Sequence, residues 1–380
     1  MDWSPFMRQA RDLAQRGRGA TAPNPCVGAV LVRGGQAVAE GWHTACGQPH
    51  AEVECLADAA RKGVDPADCT LVVTLEPCNH HGRTPPCTEA VLGAGIPRVV
   101  VGTLDPNPEV AGGGAARLRA AGVEVVEDVC GLECRDLIAD FTIWKTTDRP
   151  YVVLKLAATL DGKIATASGH SRWVSCPECR EEVHRLRGIS HAVLVGGNTF
   201  RADDPRLTAR PGGTLAARQP LAVVVSTRLP QPQKDYTLLR ERPGDTMFWT
   251  TEAAAAGPVA EALRDRGCRV WGLPPGEGGL DLGPGLARLR AEHGCLYVLC
   301  EGGGALALSL LRQGRMDELR LYSAPKIVGD PAAPGLFTGL TPETMDQAIA
   351  LRLAEVGRLG ADARLVYRPL GPGDAAGPAC

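Results

Sequence analysis

The sequence predicts two consecutive α/β domains, a reading that rests on three observations. Short apolar, β-branched runs alternate with segments of helical periodicity along the chain. The alternation restarts after a polar junction, Thr146-Thr147-Asp148-Arg149-Pro150. The length of 380 residues suits two domains and leaves room for a third.

In the first domain, Ser4 reads as a helix N-cap, Pro5 as its first turn, and Phe6, Ala10, Leu13 and Ala14 as its apolar face. Residues 27–32, the Gly34-Gly35 turn and residues 37–41 read as a β-hairpin. Residues 50–62 predict a helix with Val53, Leu56, Ala57 and Ala60 inward. A strand over 70–75 runs into Glu76-Pro77-Cys78, and a helix begins at 88–92. A strand over 98–102, the turn-rich Asp105-Pro106-Asn107-Pro108, a helix over 112–121 and a strand over 123–126 complete a layered unit over residues 1–146.

The second domain, residues 147–370, opens with a strand over 151–156. Further strands are expected over 191–195, 220–225, 246–250, 295–300 and 317–324, with helices over 177–187, 254–265, 284–291 and 304–313. The Gly/Pro/Ala-rich stretch 371–380 is expected to be a disordered tail.

Apolar residues make up 44% and charged residues 22%, an ordinary globular composition. A formal net charge of -2 argues against a nucleic-acid partner or an acidic membrane surface. No apolar run approaches the roughly 18 residues of a membrane span. The N-terminal stretch carries Asp2 and no long apolar core, unlike a secretion signal. A cytoplasmic location is therefore expected, with most of the 14 cysteines reduced. Oligomeric state stays open, a homo-oligomer included.

The chemistry is concentrated in His50-Ala51-Glu52, Pro77-Cys78 and Cys87. One imidazole, one carboxylate and two thiols occur in the order used by zinc-dependent amine-hydrolysing enzymes, whose signature is H-x-E followed by P-C-x-x-C. Such zinc has three protein ligands and a water whose pKa it lowers to about 7. His50, Cys78 and Cys87 are the candidate ligands of one zinc ion, and Glu52 the proton shuttle. The two thiols stand eight residues apart, across 79–86, which narrows the family. His50 and Glu52 fall at one helix start and Cys78 and Cys87 around another, where helix dipoles favour thiolates.

Other features are weaker. Cys176-Pro177-Glu178-Cys179 looks like half a zinc ribbon, but no second C-x-x-C completes it, so an ordinary thiol pair is the better reading. Cys130 and Cys134 fall one helical turn apart and receive no function. The second domain has two Gly-rich strand ends, Gly196-Gly197-Asn198-Thr199 and Glu301-Gly302-Gly303-Gly304. Each alone reads as a turn; together they suggest a dinucleotide or phosphate cleft. Neither is a G-x-G-x-x-G fingerprint.

The run Thr74-Leu75-Glu76-Pro77-Cys78-Asn79-His80-His81-Gly82-Arg83-Thr84-Pro85-Pro86-Cys87 resembles the deaminase half of the bifunctional riboflavin-biosynthesis deaminase/reductases. So do Pro23-Asn24-Pro25-Cys26-Val27-Gly28 and Asp105-Pro106-Asn107-Pro108. Leu154-Lys155, Leu160-Asp161-Gly162-Lys163, Ser171-Arg172-Trp173 and the stretch 195–210 resemble the reductase half. The resemblance implies a cytidine-deaminase-like three-layer α/β/α domain followed by a dihydrofolate-reductase-like α/β domain. It implies zinc-dependent deamination of a diamino-ribosylamino-pyrimidinone phosphate, then NADPH-dependent reduction of the ribosyl side chain to ribityl. It also implies Asn24, Ser171, Arg187, Leu207, Arg210 and Glu301 as substrate contacts. Ala157, Trp173, Thr199, Asp203, Ser226, Gly302, Gly303 and Gly304 are implied as cofactor contacts. Asn79 stands where Ser is usual, and Phe200 where a smaller aliphatic is common.

Several roles stay open. His80, His81 and Arg83 either help bind the substrate phosphate or are solvated loop charges, and His80 as a zinc ligand is disfavoured. Asp203 lies near the reacting ribose or caps a turn. Arg228, beside Ser226, either meets a cofactor 2′-phosphate or faces solvent. A nucleoside or tRNA deaminase with an unrelated second domain is the alternative enzyme. A structural zinc module, with Glu52 dispensable, is the non-enzyme alternative.

Overall fold

Gly34 and Gly35 both adopt positive φ, so the chain reverses there as expected. Strands Gly28–Arg33 (β1) and Gln36–Trp42 (β2) flank the turn and pair antiparallel. The computed structural model describes residues 1–81, 85–108, 110 and 112–371, and divides into two compact units meeting at Thr147/Asp148. The expected tail lies outside the described residues apart from Gly371.

The first unit is a five-stranded sheet in the order β2-β1-β3-β4-β5 among the described residues. It is completed by Thr70–Leu75 (β3), Arg98–Thr103 (β4) and Glu124–Val126 (β5), and the pairs β3/β4 and β4/β5 are parallel. Helix Ser4–Gln15 (α1) buries Met7, Ala10, Leu13 and Ala14. Met7 rather than Phe6 is fully buried, while Phe6 lies against Trp3; Trp3 is the N-cap and Ser4 sits inside the helix, its N–H donating to Asp2. This face joins Val30, Val32, Val72, Val100, Cys130 and Cys134 in one core layer.

Helix Ala51–Arg61 (α2) buries Ala51, Glu52, Cys55 and Ala59 instead of the expected Val53–Ala60 stripe. The reason is close packing on β2. A Cβ at Gly41 would lie 2.3 Å from the Cys55 nitrogen, so only small residues fit that face. Helix Cys87–Gly93 (α3) follows, then Gly113–Ala120 (α4). Two further helices, Gly131–Leu137 (α5) and Ala139–Thr146 (α6), were not expected. The result is the three-layer α/β/α fold that the resemblance implies.

The second unit begins with Tyr151–Thr159 (β6), Ala192–Gly196 (β7), Leu221–Val225 (β8), Thr246–Thr251 (β9) and Arg269–Leu273 (β10). Two-residue strands Pro275–Gly276 (β11) and Gly279–Leu280 (β12) form a separate hairpin. Tyr297–Cys300 (β13), Glu318–Ala324 (β14), Leu351–Leu359 (β15) and Asp362–Pro369 (β16) complete it. The main sheet runs β10-β9-β8-β7-β13-β6-β14-β16-β15, parallel from β10 to β14 and closed by antiparallel β16 and β15. This is the expected dihydrofolate-reductase-like α/β class. The helix expected over 254–265 is two, Glu252–Ala255 and Pro258–Asp265, split at Gly257-Pro258.

Candidate active sites

In the first unit, the carboxyl end of β3 and the starts of α2 and α3 bring three donor atoms together. His50 is the N-cap of α2, and Cys87 is the first residue of α3. His50 Nδ1 lies 3.2 Å from Cys87 Sγ and 3.6 Å from Cys78 Sγ, and the three donor atoms all lie within 4.8 Å of one another. Zinc–sulfur and zinc–nitrogen bonds of about 2.3 and 2.0 Å at tetrahedral angles give a donor separation of about 3.6 Å. The donor set could thus hold zinc without rearrangement, leaving a fourth position.

Electrostatics divides the site. The Cys78 thiol is pushed down, chiefly by its hydrogen bond with Cys87 and also by His50 and the Cys87 N–H. Cys87 is pushed up because it retains the shared proton and is buried. The Cys78 hydrogen bond raises His50. Glu52, only 3% exposed, is raised to about 7 by burial and by the Cys78 charge. A carboxyl near 7 can both accept and donate a proton at neutral pH.

Two supporting residues escaped the sequence reading. The Glu76 carboxylate accepts from the backbone N–H groups of Asp105, Gly112 and Ala115 at 3.1, 2.9 and 2.8 Å. It thereby ties the segment between β3 and Cys78 to the loop before α4 and to the first turn of that helix. His43, 2% exposed, pairs through Nδ1 with the Pro49 carbonyl and through Nε2 with Asn24 Nδ2 at 3.3 Å. Since the carbonyl only accepts, Nδ1 carries the proton and Nε2 accepts from Asn24. The His43 ring meets His50 edge-on at 5.3 Å, so Asn24 is connected to the donor cluster through His43. Asn79 accepts from the Thr88 hydroxyl and leaves the donor cluster intact. His80 and His81 are exposed, and Arg83 lies outside the described residues.

In the second unit, a cleft of about 1490 Å³ lies along the sheet. Every expected contact borders it: Ala157, Ser171, Trp173, Arg187, Thr199, Asp203, Leu207, Arg210, Ser226, Glu301, Gly302, Gly303 and Gly304. The Gly-rich segments follow the carboxyl ends of β7 and β13, where ligands enter parallel sheets. Gly303 is the N-cap of helix Gly304–Arg312, and no side chain caps that helix. Its opening N–H groups are therefore available to a phosphate. A Cβ at Gly304 would lie 2.6 Å from the Leu336 carbonyl oxygen, so that start tolerates no side chain.

Arg187 and Glu301 form a two-pronged ion pair at 2.6 and 2.8 Å, and Arg187 also donates to the Thr208 carbonyl. Arg210 donates to the Thr208 hydroxyl at 2.7 Å. Lys155, on β6, borders the same cleft, and desolvation pushes its ammonium down against the attraction of Glu301. His184 is lowered by burial and by the charges of Arg187 and Arg210, and accepts from the Arg210 N–H. His184 was not singled out from sequence, and Lys155 appeared only within the Leu154-Lys155 stretch, with no role given to it. Asp204 rather than Asp203 caps the end of helix Gly197–Asp203 and binds Thr237, leaving Asp203 exposed at the cleft. Arg201 Nη1 and Arg228 N–H approach the Ser226 hydroxyl at 3.5 and 3.3 Å. Phe200 is 1% exposed and packs on Tyr236 and Phe248 beneath the cleft. Asp161 accepts from Thr159 and from the N–H groups of Val328 and Gly329, which hold it at about 2; its motif fixes a loop.

Known proteins match both units. The zinc-binding region of cytidine and deoxycytidylate deaminases matches residues 2–103, and the RibD C-terminal domain matches 150–365. The chain is 40% identical to the riboflavin biosynthesis protein RibD of Aquifex aeolicus, over 96% of this chain and 97% of that protein. It is 39% identical to RibD of Escherichia coli K12, over 94% and 96%. A structure of Acinetobacter baumannii RibD superposes with a TM-score of 0.72 at 37% identity, covering 97% of this chain and 99% of that one. A Thermotoga maritima structure described as a diaminohydroxyphosphoribosylaminopyrimidine deaminase/5-amino-6-(5-phosphoribosylamino)uracil reductase gives 0.73 at 34%, with the same coverage. With matches of this identity running through both units, the chain belongs to the RibD family of bifunctional riboflavin-biosynthesis deaminase/reductases.

Proposed function

We propose that residues 1–146 hydrolyse the 2-amino group of 2,5-diamino-6-ribosylamino-4(3H)-pyrimidinone 5′-phosphate, and that residues 147–370 then reduce the ribosyl side chain of the product with NADPH. The observation that carries the first step is the convergence of His50, Cys78 and Cys87 beside a buried carboxyl, Glu52, raised to about 7. His50, Cys78 and Cys87 are the zinc ligands in this reading. Zinc bound there supplies hydroxide at neutral pH. Glu52 takes one proton from the attacking water and delivers it to a ring nitrogen as the C–O bond forms. It then takes the remaining proton of the added hydroxyl and passes it to the amine as the C–N bond breaks and the carbonyl forms. Asn24, held by His43, orients the pyrimidine.

In the second step NADPH supplies hydride. The chain's task is positioning. The uncapped helix start at Gly303-Gly304 and the Ser226 region hold the cofactor phosphates, with Ala157, Trp173, Thr199 and Asp203 lining its path. Arg210, Ser171 and Leu207 hold the substrate, and the Arg187–Glu301 pair keeps the guanidinium in register. The substrate is thus a small pyrimidine ribosyl phosphate, in keeping with a near-neutral chain, and no described helix is long and apolar enough to cross a membrane.

The division of labour is tested with Arg187→Ala. Removing one partner of this buried pair is expected to destabilise the second unit by about 3–5 kcal/mol. Reductase activity should fall while ammonia release continues. Burial disfavours the Glu301 charge, but Arg187 outweighs it and holds the carboxyl below its ordinary range. The stability from the pair is therefore full at neutral pH and is lost as the pH falls through that lowered value. Loss of ammonia release alongside reduction in Arg187→Ala would overturn the division.

Cofactor choice gives a smaller effect. Arg228→Ala is expected to raise the apparent KM for NADPH about tenfold, the equivalent of one charge-assisted hydrogen bond of about 1.5 kcal/mol. The value for NADH should barely change. Steady-state kinetics with both nucleotides check it, and an unchanged NADPH/NADH ratio removes Arg228 from the site.

A further inference from the structure

The thiol pair Cys176/Cys179 is joined in space by a residue 183 positions further along. Cys176 is the N-cap of the 13-residue helix Pro177–Ile189, and Cys179 lies in its first turn. The hairpin β15/β16 turns at Gly360-Ala361, with Gly360 at φ +59°, and sets its tip against that helix start. A Cβ at Gly360 would lie 2.5 Å from Glu178 Oε2 and 3.0 Å from Cys176 Sγ. Asp362, 2% exposed, follows the turn and accepts from the Cys176 N–H at 2.8 Å. The donor atoms of Cys176, Cys179 and Asp362 all lie within 4.8 Å of one another, with the two sulfurs 3.4 Å apart.

Charge makes this cluster unusual. Two thiols and a buried carboxylate converge, with the Glu178 carboxylate on the solvent side. Among the described residues no Lys or Arg forms an ion pair with Asp362 or Glu178. The two sulfurs also face one acceptor, the Leu359 carbonyl, at 3.2 and 3.9 Å. A divalent cation bound there would neutralise the cluster, because thiols give up their protons when they ligate a metal. Zinc–sulfur bonds of about 2.3 Å put two thiolates about 3.8 Å apart, a few tenths of an ångström from the separation here. Two thiolates with a carboxylate favour zinc over the hard cations magnesium and calcium.

We propose that Cys176, Cys179 and Asp362 form a second, structural zinc site, separate from the deaminase centre, with Glu178 closing the fourth position. The ion ties the tip of the terminal hairpin to the start of the helix that carries His184 and Arg187 into the reductase cleft. The same clamp anchors the loop holding Ser171 and Trp173, which enters the helix at Cys176.

The test is the zinc content of the full-length protein, loaded with zinc and freed of excess by gel filtration. The parent is expected to carry two zinc ions per chain. Cys176→Ser/Cys179→Ser should carry one and release ammonia normally; His50→Ala should carry one and release none. Asp362→Asn, which can still accept the Cys176 N–H, is the second variant should the double one fail to fold. It is expected to surrender one of its two ions to a chelator much faster than the parent. A parent with a single zinc that is lost with His50→Ala and kept in Cys176→Ser/Cys179→Ser overturns the second site while leaving the deaminase centre intact. A parent with a single zinc that is kept in His50→Ala instead supports the second site and removes the deaminase one. A mass lower by two hydrogens in the proteolytic peptide that carries Cys176 and Cys179, reversed by a thiol reductant, would make the pair a disulfide and also overturn the proposal.

Discussion

Glu52→Gln is expected to leave zinc content unchanged and to lower deamination by roughly two to four orders of magnitude, the usual scale of a lost general acid/base. Glutamine matches glutamate in shape, so the tight face of α2 on β2 should be undisturbed. It cannot take the proton of the attacking water. Reduction should survive when the deaminated intermediate is supplied. Ammonia release within a few-fold of the parent would remove the shuttle role and favour a structural zinc module.

Cys87→Ser should have the larger effect: loss of one zinc equivalent and of measurable deamination. A serine hydroxyl does not ionise near neutral pH and is a poor zinc ligand. The variant would leave only His50 and Cys78, one short of the three protein ligands of a catalytic zinc. Cys87 is 1% exposed and is the first residue of α3, and serine is close to cysteine in size, so the fold should persist without the metal. Metal analysis together with circular dichroism separates the two. A folded Cys87→Ser protein with full zinc and full activity would show that Cys87 is not a ligand.

Both experiments address residues that were legible in the sequence, because short-range spacing carried them. His50 and Glu52 are two residues apart at a helix start, and Cys78 follows directly on an apolar strand. The Gly-rich ends of β7 and β13 were visible for the same reason. Side chains whose partners are distant in sequence were hidden. Glu76 looked like one letter of a motif until its three backbone N–H partners, 29 to 39 residues away, were seen. His43 had no neighbouring signal, and Asp362 acquires meaning only beside Cys176.

Local pattern also failed where packing overrode it. The buried stripe of α2 consists of small residues and a carboxyl, so hydrophobicity placed the face wrongly. The hairpin β15/β16 is half exposed, with Leu353 and Val356 outward, and lacks the alternation that marks a strand. Helices α5 and α6 are short and break at Ile138, which serves as C-cap of one and N-cap of the next.

The most direct test of the two-step reading follows both reactions in one vessel. The protein, loaded with zinc, is given the diamino-ribosylamino-pyrimidinone phosphate and NADPH, and ammonia and NADPH are measured together. Ammonia should appear first, NADPH loss should follow, and the two should finish in equal amounts. NADPH oxidation without ammonia, or ammonia release never followed by NADPH loss, would contradict it.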